Sequence, residues 1–165
     1  MPDWLAHVLF AYVLCSVLGM KFKTFTKANT ALVMAGALIP DLVKIELGFD
    51  LFGIAVEDII APLHTPIGSL LSAALIALLF IEAVVVFSLF VLGFTTHFAL
   101  DLLLGHVSGG MLLLFPVSWA EYQLGLIHSD NYVVALLMLA LAVLVYIFQN
   151  RKLPGRRVNR SRGVP

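Results

Sequence analysis

Residues 66–105 read PIGSLLSAALIALLFIEAVVVFSLFVLGFTTHFALDLLLG. The forty residues are mostly apolar, too many for one bilayer crossing of about 20 residues. Glu82 is the only charged residue between His64 and Asp101. Two threadings are open. A hairpin turning near Glu82 returns the chain to the side it left. A single long tilted helix would put His64 and His97 at opposite ends and scramble the charge distribution along the rest of the chain. The hairpin is the expectation.

Outward from that stretch, the chain is that of a membrane protein. It is 61% hydrophobic and 12% charged, with a mean hydropathy of +1.04, against roughly 25% charged residues in soluble domains. Further apolar runs cover Trp4–Met20, Ala28–Ile39 and Tyr132–Phe148. The expected fold is an all-α, multi-pass transmembrane helical bundle of about five spans, N-outside and C-inside. It is divided into one helical domain over 1–150 and a basic cytoplasmic tail over 151–165.

Charge supports that orientation. With the N-terminus outside, Lys21, Lys23, Lys27, Arg151, Lys152, Arg156, Arg157, Arg160 and Arg162 all fall inside, and only Lys44 falls outside. Cytoplasmic loops are enriched in Lys and Arg. Of the ten acids, only Glu82 is inside. The tail directly follows an apolar span, so its expected partner is anionic lipid headgroups rather than nucleic acid. The start, Met1-Pro2-Asp3-Trp4, lacks a basic region and a clear cleavage site, so the first span is expected to be retained. Cys15 has no second cysteine to pair with.

The same threading brings five metal-type side chains to one depth. At 1.5 Å rise per residue, His7 stands roughly 21 Å above Lys21, Asp41 roughly 21 Å above Lys27, and His97 roughly 22 Å above Glu82. His64 comes out roughly 27 Å above Glu82, and Asp101 about one turn above His97. That layer is near the outer boundary of a hydrocarbon core about 30 Å thick. His7, Ala11, Cys15 and Gly19 form a stripe of small residues at i, i+4 spacing, and Gly93, His97, Asp101 and Gly105 form another. Such stripes mark helix contacts in membranes, so His7, His97 and Asp101 are expected to point into the bundle. His97 and Asp101 share one helical face. Each of the five alone reads as a polar residue bonded across helices; together they read as a site for a divalent metal. Zinc suits the donor set, with manganese or iron as alternatives.

The segments Ala6-His7-Val8-Leu9-Phe10, Gly36-Ala37-Leu38-Ile39-Pro40-Asp41, Leu63-His64-Thr65-Pro66, Thr96-His97-Phe98-Ala99-Leu100-Asp101 and Met111 to Trp119 occur in the order seen in the YdjM family. By these motifs, residues 5 to 120 resemble that family of predicted membrane-bound metal-dependent hydrolases of bacteria and archaea. The resemblance implies a multi-pass protein of a prokaryotic cell membrane, with His7, Asp41, His64, His97 and Asp101 as metal ligands. The chain departs from the pattern at Val43, where the family often has a second acid, and at Ile59-Ile60, where it often has a His-Arg pair. Those losses would reduce a two-metal site to one metal.

A hydrolase of this kind needs a general base, for which Glu57 and Asp58 are the candidates, although both also read simply as solvated outer-loop acids. The depth of the layer points to an ester or phosphoester of a lipid-like substrate at the extracytoplasmic face. The alternative is a non-catalytic membrane protein whose His/Asp cluster handles metal or cross-links helices. His106 and His128 are expected to be solvated, Asp3 could orient His7, and Lys44 could pair with Asp41, Glu46 or a substrate phosphate.

Overall fold

The computed structural model describes residues 3–56, 60–105, 109–128 and 132–151. Glu57, Asp58, His106, Asp130 and the tail from residue 152 lie outside the described residues. So does the side chain of Asp3.

Among the described residues the fold is helical. α1 is Asp3–Leu18, α2 Lys27–Gly36, α3 Glu46–Asp50, α4 Pro66–Ala77, α5 Ala83–Leu103 and α6 Tyr132–Arg151. Two 3₁₀ turns, Pro40–Ile45 and Ala61–His64, carry the chain into and out of the segment around α3. Among the described residues, β structure is confined to a two-residue parallel pair, β1 (Leu104–Gly105) with β2 (Ile127–His128), and an isolated antiparallel bridge between Met111 and Tyr122.

The long apolar stretch is a hairpin. α4 ends at Ala77 and α5 begins at Ala83, with Glu82 as its N-cap residue. Ala73 and Ala77 of α4 pack on Val86, Phe90, Phe94 and Phe98 of α5, with Ile39 and Met111 completing the cluster. At the other end of α4 the start is set locally. Thr65 accepts a hydrogen bond from Gly68 N at 3.1 Å, and Pro66 occupies the first turn, where its missing N–H costs nothing.

α5 is the central helix. Leu89 packs with Ala11, Cys15, Val33 and Ala37, which joins it to α1 and α2. Leu100 and Leu104 pack with Ala6, Val134 and Ala135, which joins it to α1 and α6. Close approach to α2 depends on two glycines. A Cβ on Gly93 would stand 2.2 Å from Val33 O, and one on Gly36 would stand 2.7 Å from the Phe90 backbone. Both stripes anticipated in the sequence are buried along most of their length: His7, Ala11 and Cys15 on α1, and Gly93, His97 and Asp101 on α5.

α5 and α6 are long and apolar enough to cross a membrane. α1, α2 and α4 have 16, 10 and 12 residues, so they are about 24, 15 and 18 Å long. Each falls short of a hydrocarbon core about 30 Å thick. The outer surface carries large apolar side chains on α4 and α6, including Leu71, Leu75, Leu136, Leu144 and Phe148.

The segment 109–128 folds over the end of α5. Met111 and Tyr122 exchange backbone hydrogen bonds of 2.9 and 3.0 Å. Leu124 N and Leu126 N donate to the carbonyls of Leu102 and Leu103, which satisfies groups that a helix end otherwise leaves open. Met111 enters the core, while Val117 and Trp119 stay exposed.

Candidate metal centre

The five residues singled out by depth meet at one place. α1 supplies His7, the Pro40–Ile45 turn supplies Asp41, the Ala61–His64 turn supplies His64, and α5 supplies His97 and Asp101. Asp101 is the hub. Its Oδ1 lies 3.1 Å from His7 Nε2, and its Oδ2 lies 3.0 Å from His97 Nε2 and 3.4 Å from His64 Nε2. The His64 and His97 Nε2 atoms are 3.3 Å apart. The His7 and His97 rings stack with centroids 3.8 Å apart.

Local structure fixes each donor. The i, i+4 spacing of His97 and Asp101 puts both on one face of α5. On the His64 turn, Thr65 Oγ1 donates to Pro62 O at 2.7 Å and Ser69 Oγ donates to Leu63 O at 3.0 Å. Together with the Gly68 N bond, these tie the turn to the first residues of α4. Gly68 has no room for a side chain, because a Cβ there would stand 2.0 Å from Pro62 O. Asp41 follows Pro40 in the turn that ends α2, and its Oδ1 holds Lys44 Nζ at 2.6 Å.

His97 is 0% exposed, and its protonation pattern follows from its surroundings. Nδ1 lies 2.8 Å from Ala37 O, a carbonyl that can only accept, so Nδ1 carries the proton. In a neutral imidazole the Nε2 lone pair then faces the Asp101 carboxylate and His64 Nε2. Lone pair against lone pair at such distances needs a hydrogen, such as one carried by His64 Nε2, or a metal ion between them. A ring that donates its second N–H to a backbone carbonyl is also the usual posture of a metal-ligating histidine.

Among the described residues, two groups could hold a metal ion, the donor atoms within each lying within 4.8 Å of one another: His7, His97 and Asp101, and Asp41, His64 and His97. Metal–nitrogen bonds of 2.0–2.1 Å in a tetrahedral zinc site imply ligand-to-ligand edges of about 3.3 Å. The four separations around Asp101 and His97, 3.0 to 3.4 Å, are of that size. Two buried polar atoms at the cluster, Asp41 Oδ2 and His7 Nδ1, have no hydrogen-bond partner among the described residues. Burying such atoms unpaired is costly. A cation would engage the Asp41 oxygen; nothing described engages His7 Nδ1. Asp41 and Asp101 are both buried beside one lysine, so the described site residues carry a net negative charge while the imidazoles are neutral. The residues therefore fit a divalent ion in donor type, spacing and charge.

Only His64 among the five opens outward, with 29% of its side chain exposed. It lines a cleft of about 190 Å³ with Ala61, Thr65, Gly109, Gly110, Met111 and Leu112. Gly110 N donates to Glu121 Oε2 at 2.9 Å, so the Glu121 carboxylate lies beside the glycine wall of this cleft. Sequence reasoning had no reason to single out Ala37, whose part is played by its carbonyl, or Glu121, which is brought there by the Met111–Tyr122 pairing. The Thr65-Pro66 pair, a capping residue before a proline, was a usable signal for the clamp under His64. His128 is exposed at the end of β2.

No family model matches the chain, and no curated protein or solved structure matches it. The fold and site define a mostly helical protein with two membrane-length apolar helices and a buried His/Asp cluster that could hold a metal ion.

Proposed function

We propose that this chain is a membrane-embedded metal-dependent hydrolase acting on an ester or phosphoester of a lipid-like substrate at the extracytoplasmic face. The observation that carries the reading is the bond from His97 Nδ1 to Ala37 O, which turns the Nε2 lone pair toward Asp101 and His64. Zinc is the ion this donor set suits first, with manganese or iron next. His7, His97 and Asp101 would hold it from the buried side, with Asp41 and His64 toward the cleft. A zinc ion in such a set supplies Lewis acidity to an ester or phosphoester oxygen and acidifies a water molecule.

The chain's own residues account for the remaining work. Ala37 fixes the His97 tautomer, and the buried cores around His97 exclude bulk water from its side of the cluster. His64 lines the cleft, and Met111 and Leu112 give that cleft an apolar wall. Glu57 or Asp58 takes the general-base role on the sequence pattern. Membership of the YdjM family and the five-span, N-outside topology in a prokaryotic cell membrane belong to the same proposal. The exposed apolar surfaces of α4 and α6 support it, because water tolerates contiguous surfaces of this kind poorly.

A second, non-catalytic reading has an observation of its own. The Asp101 carboxylate is already ringed by three imidazoles, so the cluster ties together α1, α5 and the His64 turn without any ion. Elemental mass spectrometry of the purified protein decides between them, with His97→Ala and Asp101→Ala beside the wild type. The hydrolase reading expects near-stoichiometric zinc, manganese or iron in the wild type and its loss in folded variants. A wild type that stays metal-free after reconstitution leaves the cross-linking account standing.

A further inference from the structure

Residues 109–128 wall one side of the cleft, and their outward face is apolar. Val117 is 92% exposed and Trp119 72%, and Leu114, Leu124 and Leu126 are exposed in the same segment. Glu121 is the only Asp, Glu, Lys or Arg among these residues, and its carboxylate accepts a hydrogen bond from Gly110 N. The backbone is paired at several points: Met111 with Tyr122, Val117 N and Ser118 N with Leu114 O, and Leu124 N and Leu126 N with the end of α5. A segment that shows apolar side chains and pairs its backbone suits surroundings poor in water.

Depth identifies those surroundings. α5 has 21 residues and rises about 31 Å, against a hydrocarbon core about 30 Å thick. With Glu82 at one edge of the core, Leu103 stands at the other, and the segment bonded to it lies at headgroup depth. Aromatic residues mark the same level. Of the chain's two Trp and four Tyr residues, Trp4 lies in the first turn of α1, Tyr132 begins α6, and Trp119 and Tyr122 belong to the segment; all four are exposed. Ala6, Leu104, Val134 and Ala135 pack together, which brings these ends of α1 and α6 level with the end of α5. Trp and Tyr collect at membrane–water interfaces, where an apolar ring with a polar edge meets both media. The Trp119 indole is braced edge-on against Phe115, with centroids 5.0 Å apart.

We propose that residues 109–128 lie in the headgroup layer at the cluster end of the molecule and that the cleft beside His64 opens into that layer. The site then takes an amphiphile resident in the bilayer in preference to a solute in bulk water. Gly109, Gly110, Met111 and Leu112 line the cleft and belong to the segment, so the depth of the segment sets the depth of the cleft. The inference rests on the membrane reading above and fixes the side from which a lipid-like ligand enters; it requires no metal.

The test uses the full-length protein reconstituted in phosphatidylcholine vesicles. The lipid carries a nitroxide near the headgroup end of the acyl chain, near its methyl end, or not at all. Trp4→Phe leaves Trp119 as the only indole; Trp4→Tyr takes its place should that variant not fold. Leu112→Cys in a Cys15→Ala background carries a nitrobenzoxadiazole label at the cleft. Leu141→Trp, with Trp4→Phe and Trp119→Phe, puts an indole at an exposed position midway along α6 as the membrane control. Trp119 and the cleft label should lose most of their emission to the shallow nitroxide, less to the deep one, and little to iodide present on both sides of the vesicle. Leu141→Trp should be quenched most by the deep nitroxide. The proposal is overturned if Trp119 or the cleft label responds to iodide and not to nitroxide lipid, for then the segment or the cleft faces water. It is equally overturned if neither quencher reaches Trp119, which would mean that a protein surface such as a second copy covers it. Either failure leaves the membrane reading standing while Leu141→Trp is quenched by the deep nitroxide. Loss of that signal too would take α6 out of the bilayer, and the membrane reading would fall with the proposal.

Discussion

His97 and Ala37 are joined across the α2–α5 crossing, with the imidazole Nδ1 donating to the backbone carbonyl over 2.8 Å. The bond exists because two glycines let the helices touch. Gly36 precedes Ala37 in the chain, and Gly93 lies one turn before His97. Helix packing and ligand chemistry are therefore one property at this crossing: whatever separates α2 from α5 also frees the His97 ring to rotate.

Gly93→Ala tests that coupling. The added Cβ would stand 2.2 Å from Val33 O and 2.7 Å from Ala37 N, backbone atoms that cannot swing aside. The helices must part, at a cost in the range of 1–3 kcal/mol seen for overpacked cores, or somewhat more. Thermal unfolding in detergent should show a lowered midpoint. Metal uptake should weaken even though no donor atom has been removed. An unchanged midpoint with full metal content would mean that the crossing tolerates a methyl group and does not hold His97.

The Ala61–His64 turn offers a second lever on the site, through His64 rather than through helix packing. Thr65→Val removes an N-cap side chain that accepts from Gly68 N and donates to Pro62 O. Loss of such a cap costs about 1 kcal/mol. His64 should then lose its fixed position while His7, His97 and Asp101 keep theirs. The expected outcome is a folded protein whose metal affinity falls about 10- to 100-fold, the range seen when groups that orient a ligand are removed. Gly68→Ala, with a Cβ 2.0 Å from Pro62 O, should act in the same direction and more strongly. Wild-type affinity in both variants would show that His64 contributes nothing to metal binding.

Much of this was legible in the sequence, for a physical reason. The hairpin followed from the length of residues 66–105 against one bilayer thickness, and the turn falls at Glu82 where the only charge stands. The convergence of His7, Asp41, His64, His97 and Asp101 followed from counting residues along helices of fixed rise, because helix geometry turns sequence distance into depth. The buried stripes on α1 and α5 followed from small residues at i, i+4 spacing. What was illegible depends on the backbone of distant segments. The Ala37 carbonyl has no side-chain signature, and Gly36 stands outside both stripes. The lengths of α1, α2 and α4 were set by where the chain breaks into turns, and apolar runs alone do not reveal those breaks. The pairing of Met111 with Tyr122, which carries it into the core, likewise depends on a segment distant in the chain from the helices it packs on.

Removing the metal should reveal the charge imbalance at Asp41 and Asp101. Ligand binding to the native state stabilises it by RT ln(1 + [L]/Kd), about 2.7 kcal/mol at a hundredfold excess over Kd. Chelation of the metal-loaded wild type should therefore lower the unfolding midpoint, and added zinc should restore it. Asp101→Asn keeps the shape of the hub but removes its charge, so its midpoint should respond little to either treatment. A wild type indifferent to both chelator and zinc would argue that hydrogen bonds alone hold the cluster.

The charge-sorted topology is testable apart from any chemistry. Gln149 Nε2 donates to Ser16 O at 2.8 Å, which sets the Arg151 end of α6 beside the end of α1 that leads into Lys21, Lys23 and Lys27. Basic residues from two separate stretches thus gather at the end opposite the His/Asp cluster. In a cell membrane that end should face the cytoplasm. The native cysteine is replaced first, as Cys15→Ala, because it is the only thiol in the chain. Single cysteines are then introduced as Asp130→Cys and Arg160→Cys. A membrane-impermeant maleimide added to intact cells should label the first and spare the second, and both should react after the cells are opened. Labelling of Arg160→Cys alone in intact cells would invert the orientation and put the cleft beside His64 on the cytoplasmic side. Labelling of both in intact cells would mean that α6 does not cross the membrane between positions 130 and 160, and the five-span threading would have to be abandoned.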